Sequence, residues 1–269
     1  MQVDVDGQRT FIQTGGQPLD PQKPTVVFLH GAGMDHSVWG QQTRYFAHRG
    51  YSVAAVDLPG HGRSGGEPLT DIAAMADWVV ALLDAMEVQR AGLVGHSMGA
   101  LVALEAAARH GSRVDALALL GAAARMPVHP ALLEAARNDL SKAADLIAAW
   151  GHGARAHLGG NIASGIWLIR GAVQLLRRSA PGVLATDLEA CNAYQDALGA
   201  AKRVGCPALL VVGSADKMTP MKAAMPLGDA ITHANTVIIP DGGHMIMLEE
   251  PAQTLSALRT FFAAMKVDA

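Results

Sequence analysis

Short, wholly apolar runs alternate along this chain with longer stretches whose apolar positions recur at helical spacing. Residues 25–29, 52–56, 91–94, 116–120, 208–212 and 236–239 are rich in Val, Leu, Ile and Ala, and most end at a turn-forming residue. Strands apolar on both faces belong to a parallel sheet covered by helices. Two further strand-like runs, 3–6 and 10–13, flank a turn at Gly7 near the start. Residues 72–88 place Asp77, Asp84 and Glu87 on one narrow arc of a helix, with Thr70 or Asp71 as its N-cap. Residues 98–110 are apolar nearly all round, apart from Glu105 and Arg109 paired at i,i+4, so that helix is expected to be largely buried. A last helix is expected over 252–265. This alternation predicts an α/β fold: a doubly wound, mostly parallel sheet with right-handed crossovers.

One connection breaks the pattern. Roughly 80 residues separate the strand ending near Gly121 from the strand starting near Ala208, where a crossover usually takes a few tens. The stretch shows helical periodicity over 130–140, 143–150, 166–177 and 184–198, interrupted at Gly151, Gly153, Gly159-Gly160 and Pro181-Gly182. It reads as a helical cap, residues 125–203, inserted into a core made of 1–124 and 204–269 and covering the carboxyl edge of the sheet.

Composition narrows the class. The chain has 269 residues, half of them hydrophobic, enough for one large core. A net charge of −3 argues against a nucleic-acid footprint or a polybasic membrane surface. The first nine residues are polar and lack the apolar core of a secretory signal, and no run approaches the roughly 18 apolar residues that span a bilayer. Cys191 and Cys206 have no metal-ligand spacing and read as buried thiols in a reducing compartment. These features predict a cytoplasmic protein, and none of them specifies an oligomeric state.

The chemistry concentrates at Gly95-His96-Ser97-Met98-Gly99, between the run at 91–94 and the helix at 98–110. Strand, sharp turn and helix with a serine at the apex is the required context of a G-x-S-x-G nucleophile elbow. The strained turn lifts the hydroxyl above the sheet, and the flanking glycines avoid collision with the neighbouring strand and helix. A serine needs a neutral imidazole to take its proton, and the imidazole needs a carboxylate to fix its tautomer. In this arrangement the acid and then the histidine come from loops after later strands. Asp216 is the acidic residue in the loop after 208–212, and His244 ends the loop after 236–239. The loop after 116–120 offers only Gly121-Ala122-Ala123-Ala124, so it cannot supply the acid. His96 adjoins the serine, but successive residues in an elbow point apart, and it reads as a packed structural histidine. His30 and His61 sit in glycine-rich turns and are expected to bond backbone groups there. Asp241 is poorly placed behind the imidazole, and Asp57 reads as a loop-tethering carboxylate. For the oxyanion, Met98 offers a backbone N–H at a helix start. The loop His30-Gly31-Ala32-Gly33 offers a second, from Ala32 or alternatively Gly33.

His30-Gly31-Ala32-Gly33, Asp57 through Ser64 (DLPGHGRS), Gly95 through Gly99, Asp216, and Gly243-His244 through Glu249-Glu250-Pro251 together resemble the α/β-hydrolase superfamily. The resemblance is to its bacterial carboxylesterase, enol-lactonase, C–C hydrolase and cofactor-free haloperoxidase branch. It covers about residues 20–124 and 205–265 and leaves the cap outside. It implies an acyl-enzyme mechanism in which Ser97 attacks, His244 serves as base then acid, Asp216 orients it, and Met98 and Ala32 hold the oxyanion. No cofactor and no metal are expected; His152 and His157, five apart, face different sides of a helix.

A serine at the elbow excludes the dehalogenase and epoxide hydrolase branches, which need a carboxylate there. Hydrolysis of a small-molecule ester or lactone, the expected partner, is the leading expectation. A C–C hydrolase of the meta-cleavage type, or a cofactor-free haloperoxidase or perhydrolase, is the alternative. The C–C reaction would call for an arginine in the pocket, from Arg170, Arg177 or Arg178. A different class, a non-catalytic ligand-binding protein of the same fold, would fail to react with a fluorophosphonate probe. Trp39, Trp150, Trp167, Met34, Met126, Met218 and Met245 are candidates for an apolar acyl pocket, although each taken separately also suits ordinary core packing.

Overall fold

The computed structural model of the protein describes residues 1–160 and 166–265. Eight strands form one sheet: β1 (Gln2–Val5), β2 (Gln8–Gln13), β3 (Thr25–Leu29), β4 (Ser52–Val56), β5 (Ala91–His96), β6 (Val114–Leu120), β7 (Ala208–Gly213) and β8 (Ala234–Ile239). Their spatial order is β1-β2-β4-β3-β5-β6-β7-β8. Only β1 and β2 run antiparallel to their neighbours; β4 through β8 form the parallel body. Strands β3 to β7 are buried along almost their full length, as their unbroken apolar runs require.

The register places the chemistry. Leu29 pairs with Gly95, His96 with Leu120, and Gly213 with Ile239. All five strands therefore end at one edge, where the loops carrying residues 30–33, 97, 121–124, 214–219 and 240–244 emerge together.

Helices cover both faces. Met98–Arg109 buries ten of its residues, including every one from Met98 to Ala107. Ile72–Ala85 starts at Asp71, whose side chain accepts from Ala74 N–H at 2.8 Å. It ends short of Glu87, which takes a left-handed φ of 58° and so cannot continue the predicted arc. Trp39, Phe28, Phe46, Tyr51 and Phe262 form an aromatic cluster on the opposite face from Met98–Arg109. Each large side chain so buried contributes about 1.5–3 kcal/mol.

Between β6 and β7 the chain forms Pro130–Asn138, Leu140–Gly151, Ala154–His157, Leu168–Arg177, Val183–Ala193 and Ala197–Arg203. The predicted single helix over 184–198 is broken at Tyr194. Its hydroxyl bonds Glu105 Oε2 at 2.6 Å, a tertiary anchor to the buried helix that local periodicity does not carry.

Candidate active site

Ser97 has φ 53° and ψ −117°, a left-handed conformation foreign to a residue with a side chain, and it directly precedes the helix Met98–Arg109. The surroundings enforce it. A Cβ on Gly95 would run into the backbone of Gly99 and Ala100, and one on Gly99 into the carbonyls of Leu29 and His30. Gly95→Ala is expected to cost about 3 kcal/mol or more, because rigid backbone lies on the collision path. The denaturation midpoint measures it, and a midpoint equal to wild type would refute the packing account.

Asp216 and His244 meet behind this turn. His244 Nδ1 lies 2.9 Å from Asp216 Oδ2, and Asp216 is 5 % exposed. The carboxylate also accepts Met218 N–H and Thr219 N–H at 2.8 Å on Oδ1, and Thr219 Oγ1–H at 2.6 Å on Oδ2. Burial alone would raise the Asp216 pKa. The His244 imidazole and the Thr219 hydrogen bonds outweigh it and hold the group well below the usual carboxylate range. An ionised Asp216 accepts the Nδ1 proton, so a neutral His244 has an unprotonated Nε2. That atom is buried and has no hydrogen-bond partner among the described residues.

Ser97, His244 and Ala32 line one cavity of about 350 Å³. Of the sequence candidates for its wall, Met126, Trp150 and Met218 also line it. The remaining apolar wall is Pro127, Val128, Leu132, Leu188 and Cys191, largely from the segment after β6 that has no recognisable motif. Lys217 and His129 add polar atoms. Cys191 is buried and its thiol pKa is pushed up by that burial; Cys206 is likewise raised, to about 11. Neither is a thiolate nucleophile at neutral pH.

Four wall candidates are corrected. Trp39 is fully buried, with its ring 5.3 Å from Phe28, because its large apolar surface turns into the core rather than toward the loop edge. Met34 closes a turn by donating its N–H to Gly31 O at 3.2 Å, and its side chain packs in the same core. Met245 is 1 % exposed and packs there too, and it does not line the cavity. Trp167 is 62 % exposed, at the start of Leu168–Arg177 and off the cavity. The arginines suggested for an anionic substrate are also elsewhere. Arg177 faces Asp145 at 3.4 Å, Arg178 lines a separate small pocket beside His61, and Arg170 lines neither.

The oxyanion alternatives separate as well. Gly33 N–H donates to Asp187 Oδ2 at 2.7 Å and is therefore spent. Ala32 N–H makes no hydrogen bond among the described residues, and neither does Met98 N–H at the first turn of its helix.

The surrounding histidines and acids tie loops. His30 Nδ1–H donates to Gly31 O at 2.9 Å, and its Nε2 accepts Leu58 N–H at 3.1 Å. His96 lies 3.0 Å from the His244 carbonyl oxygen through Nε2, and His152 lies 3.0 Å from Ala148 O through Nδ1. Asp57 accepts from His36 N–H, His36 Nδ1 and Arg63 N–H. Asp35, His36 and Asp57 are the one group among the described residues with ligand atoms within 4.8 Å of each other, but these loop bonds already occupy Asp57.

Burial lowers the pKa of His30 to about 4, of His96 to about 3 and of His152 to about 4. Each is neutral when folded but takes a proton near 6.5 when unfolded, so each contributes stability that is complete above that pH and shrinks as pH falls. The loss is up to about 1.4 kcal/mol per group per pH unit. A thermal melt is expected to shift steeply downward between pH 6.5 and 4.5; a melting temperature flat over that window would contradict buried neutral imidazoles.

No helix among the described residues is long and apolar enough to cross a membrane. Comparison with known proteins agrees with this architecture. The chain is 31% identical over 261 residues to the pimeloyl-[acyl-carrier protein] methyl ester esterase of Chromobacterium violaceum, covering 92% of this chain and 96% of that one. It is 32% identical over 260 residues to a putative non-heme haloperoxidase of Mycobacterium phage D29, covering 92% and 88%. Its fold superposes on the enol-lactonase of Burkholderia xenovorans LB400 with a TM-score of 0.88 at 23% identity, over 98% of this chain and 100% of that one. The family model described as alpha/beta hydrolase family matches residues 26–257, and the protein belongs to that family.

Proposed function

We propose that the protein is a serine hydrolase that cleaves carboxylic esters or lactones of small to medium, largely apolar substrates through an acyl-enzyme. The observation that carries this reading is the convergence of a strained Ser97 and a buried, unpartnered His244 Nε2 on one apolar cavity. In this reading Ser97 Oγ attacks the substrate carbonyl while His244 Nε2 takes its proton. Asp216 holds the imidazole in the tautomer that leaves Nε2 free and balances its positive charge. The N–H groups of Ala32 and Met98 stabilise the oxyanion. His244 then protonates the departing alkoxide, and water activated by the same imidazole releases the acid. The helices between β6 and β7 act as a cap whose apolar side chains bind the acyl or alcohol portion. The esterase and enol-lactonase among the similar proteins bear names consistent with this chemistry.

An active-site-directed fluorophosphonate and a panel of nitrophenyl esters and lactones test it. Stoichiometric labelling and turnover of short to medium acyl esters are expected. A folded wild-type protein that neither labels nor turns over any member would overturn the reading. Turnover confined to a vinylogous diketone would assign it to C–C cleavage instead.

A further inference from the structure

Asp187 lies on the helix Val183–Ala193, in the segment between β6 and β7, and is fully buried. Its Oδ2 accepts two hydrogen bonds, from Gly33 N–H at 2.7 Å and from His61 Nε2–H at 2.8 Å. His61 is 3 % exposed, and its Nδ1 lies 2.9 Å from Pro59 O. A carbonyl only accepts, so Nδ1 carries a proton, and Nε2 carries a second toward Asp187. The pair is a buried imidazolium and carboxylate. Burial opposes that charge, and the Asp187 carboxylate overcomes it, raising the His61 pKa.

A buried ion pair is weak evidence for stability, since well-packed apolar residues often replace one at no loss. What this pair does is geometric. Gly33, at φ +65°, ends the turn that begins at Gly31, and Met34 N–H closes it on Gly31 O at 3.2 Å. A Cβ on Gly31 would touch His96 Nδ1 and Ser97 Cβ, so that end of the turn sits against the elbow. A Cβ on Gly33 would meet Leu184 and Leu176, so the other end sits against the helical segment. The Gly31–Ala32 peptide is held through Gly31 O, which accepts from Met34 N–H and from His30 Nδ1–H, and the Asp187 bond holds the Ala32–Gly33 peptide beside it, the one polar bond that reaches this turn from the helical segment among the described residues. The same helix lines the cavity with Leu188 and Cys191.

We propose that Asp187 is a positioning residue for hydrolysis: braced by His61, its carboxylate anchors Gly33 N–H in the peptide unit that follows Ala32 and so fixes the turn on which the neighbouring Ala32 N–H is presented to the oxyanion. This rests on the serine-hydrolase reading above. It makes the helix that walls the substrate cavity also the element that aligns half of the oxyanion hole. A group acting this way affects the tetrahedral state and leaves ground-state binding alone.

The test compares Asp187→Leu, the double variant Asp187→Leu/His61→Leu, and Asp187→Asn, with kinetics on a nitrophenyl ester and inhibition by an alkyl boronic acid that mimics the tetrahedral oxyanion. Asp187→Leu is expected to lower kcat by about 10²-fold, the scale of a misplaced or lost donor, with KM within about threefold. Boronate affinity should fall by the same factor as kcat/KM. The double variant removes both charges, which keeps the fold accessible if the single one leaves His61 stranded, and the kcat loss should persist in it. Asp187→Asn keeps an oxygen for Gly33 N–H and should recover most of the loss. Wild-type kcat and boronate affinity in a folded Asp187→Leu or in the double variant would overturn the proposal. So would equal damage in Asp187→Asn and Asp187→Leu, which would mean that charge rather than anchoring matters. Absence of fluorophosphonate labelling in the wild-type protein would instead overturn the hydrolase reading beneath it.

Discussion

Ser97→Ala is expected to lower kcat on a good ester substrate by about 10⁴–10⁶-fold and to abolish fluorophosphonate labelling. The effect is this large because the variant removes the only covalent route the proposed mechanism has. Cys191, another nucleophile-type side chain on the cavity, is buried with its pKa raised and cannot substitute. Substrate binding should change little, since the apolar wall is untouched, so KM or the affinity for a non-hydrolysable analogue should stay near wild type. Some rate over water should survive from the Ala32 and Met98 donors. The fold should survive too: Ser97 Oγ makes no hydrogen bond among the described residues, and alanine at a φ of 53° is strained no more than serine. Titration with the probe, combined with a melting curve, separates lost chemistry from lost structure. A Ser97→Ala protein that still turns over esters at a tenth of the wild-type rate would place the nucleophile elsewhere.

What the sequence disclosed and what it hid follow from the range of the physics involved. Ser97, Asp216 and His244 lie in loops next to strands whose apolar runs are continuous, and strand ends in a parallel sheet share an edge. Local patterning therefore brings them near one another without any knowledge of side-chain direction. Wall residues are different. Met34 and Met245 sit as close in sequence to the edge loops as Met126 and Met218 do, and Trp39 only a few residues further, yet these three turn into the core. Which way a loop methionine or tryptophan turns is decided by the tertiary space beneath it. Pro127, Val128, Leu132 and Leu188 carry no distinguishing signal, because an apolar residue in an amphipathic segment looks the same over a cavity as over a core.

Asp187 shows the intermediate case. Its helix carries Leu184, Leu188 and Cys191 at spacings of four and three, and Asp187 falls on that apolar stripe. A carboxylate on a buried stripe calls for a partner inside. That much can be read from the chain, but the partner is His61, 126 positions away, and no periodicity connects the two. Thr219 is similar at shorter range. It follows Asp216 by three residues, and its hydroxyl and N–H both bind that carboxylate, a side-chain turn visible only once the loop is folded.

Asp216→Asn is expected to lower kcat by about 10⁴-fold with the fold intact, and the reason lies in how the carboxylate is held. Oδ1 accepts two backbone N–H groups, from Met218 and Thr219, so an asparagine at this position must put its carbonyl oxygen there. Its amide nitrogen then takes the place of Oδ2, facing Thr219 Oγ1 and His244 Nδ1. An N–H in that place needs an acceptor, and His244 Nδ1 becomes one by giving up its proton. The imidazole then carries its proton on Nε2, the atom that should take the proton of Ser97. The loss is one of tautomer, so KM should stay within a few-fold of wild type while kcat collapses. Raising the pH should not restore the rate at a neutral imidazole, because the neutral form itself has the wrong tautomer. Fluorophosphonate labelling should slow in proportion to kcat, since phosphonylation needs the same proton transfer. Full activity in a folded Asp216→Asn protein would remove Asp216 from the mechanism and turn attention to Asp241, the other carboxylate in the two loops.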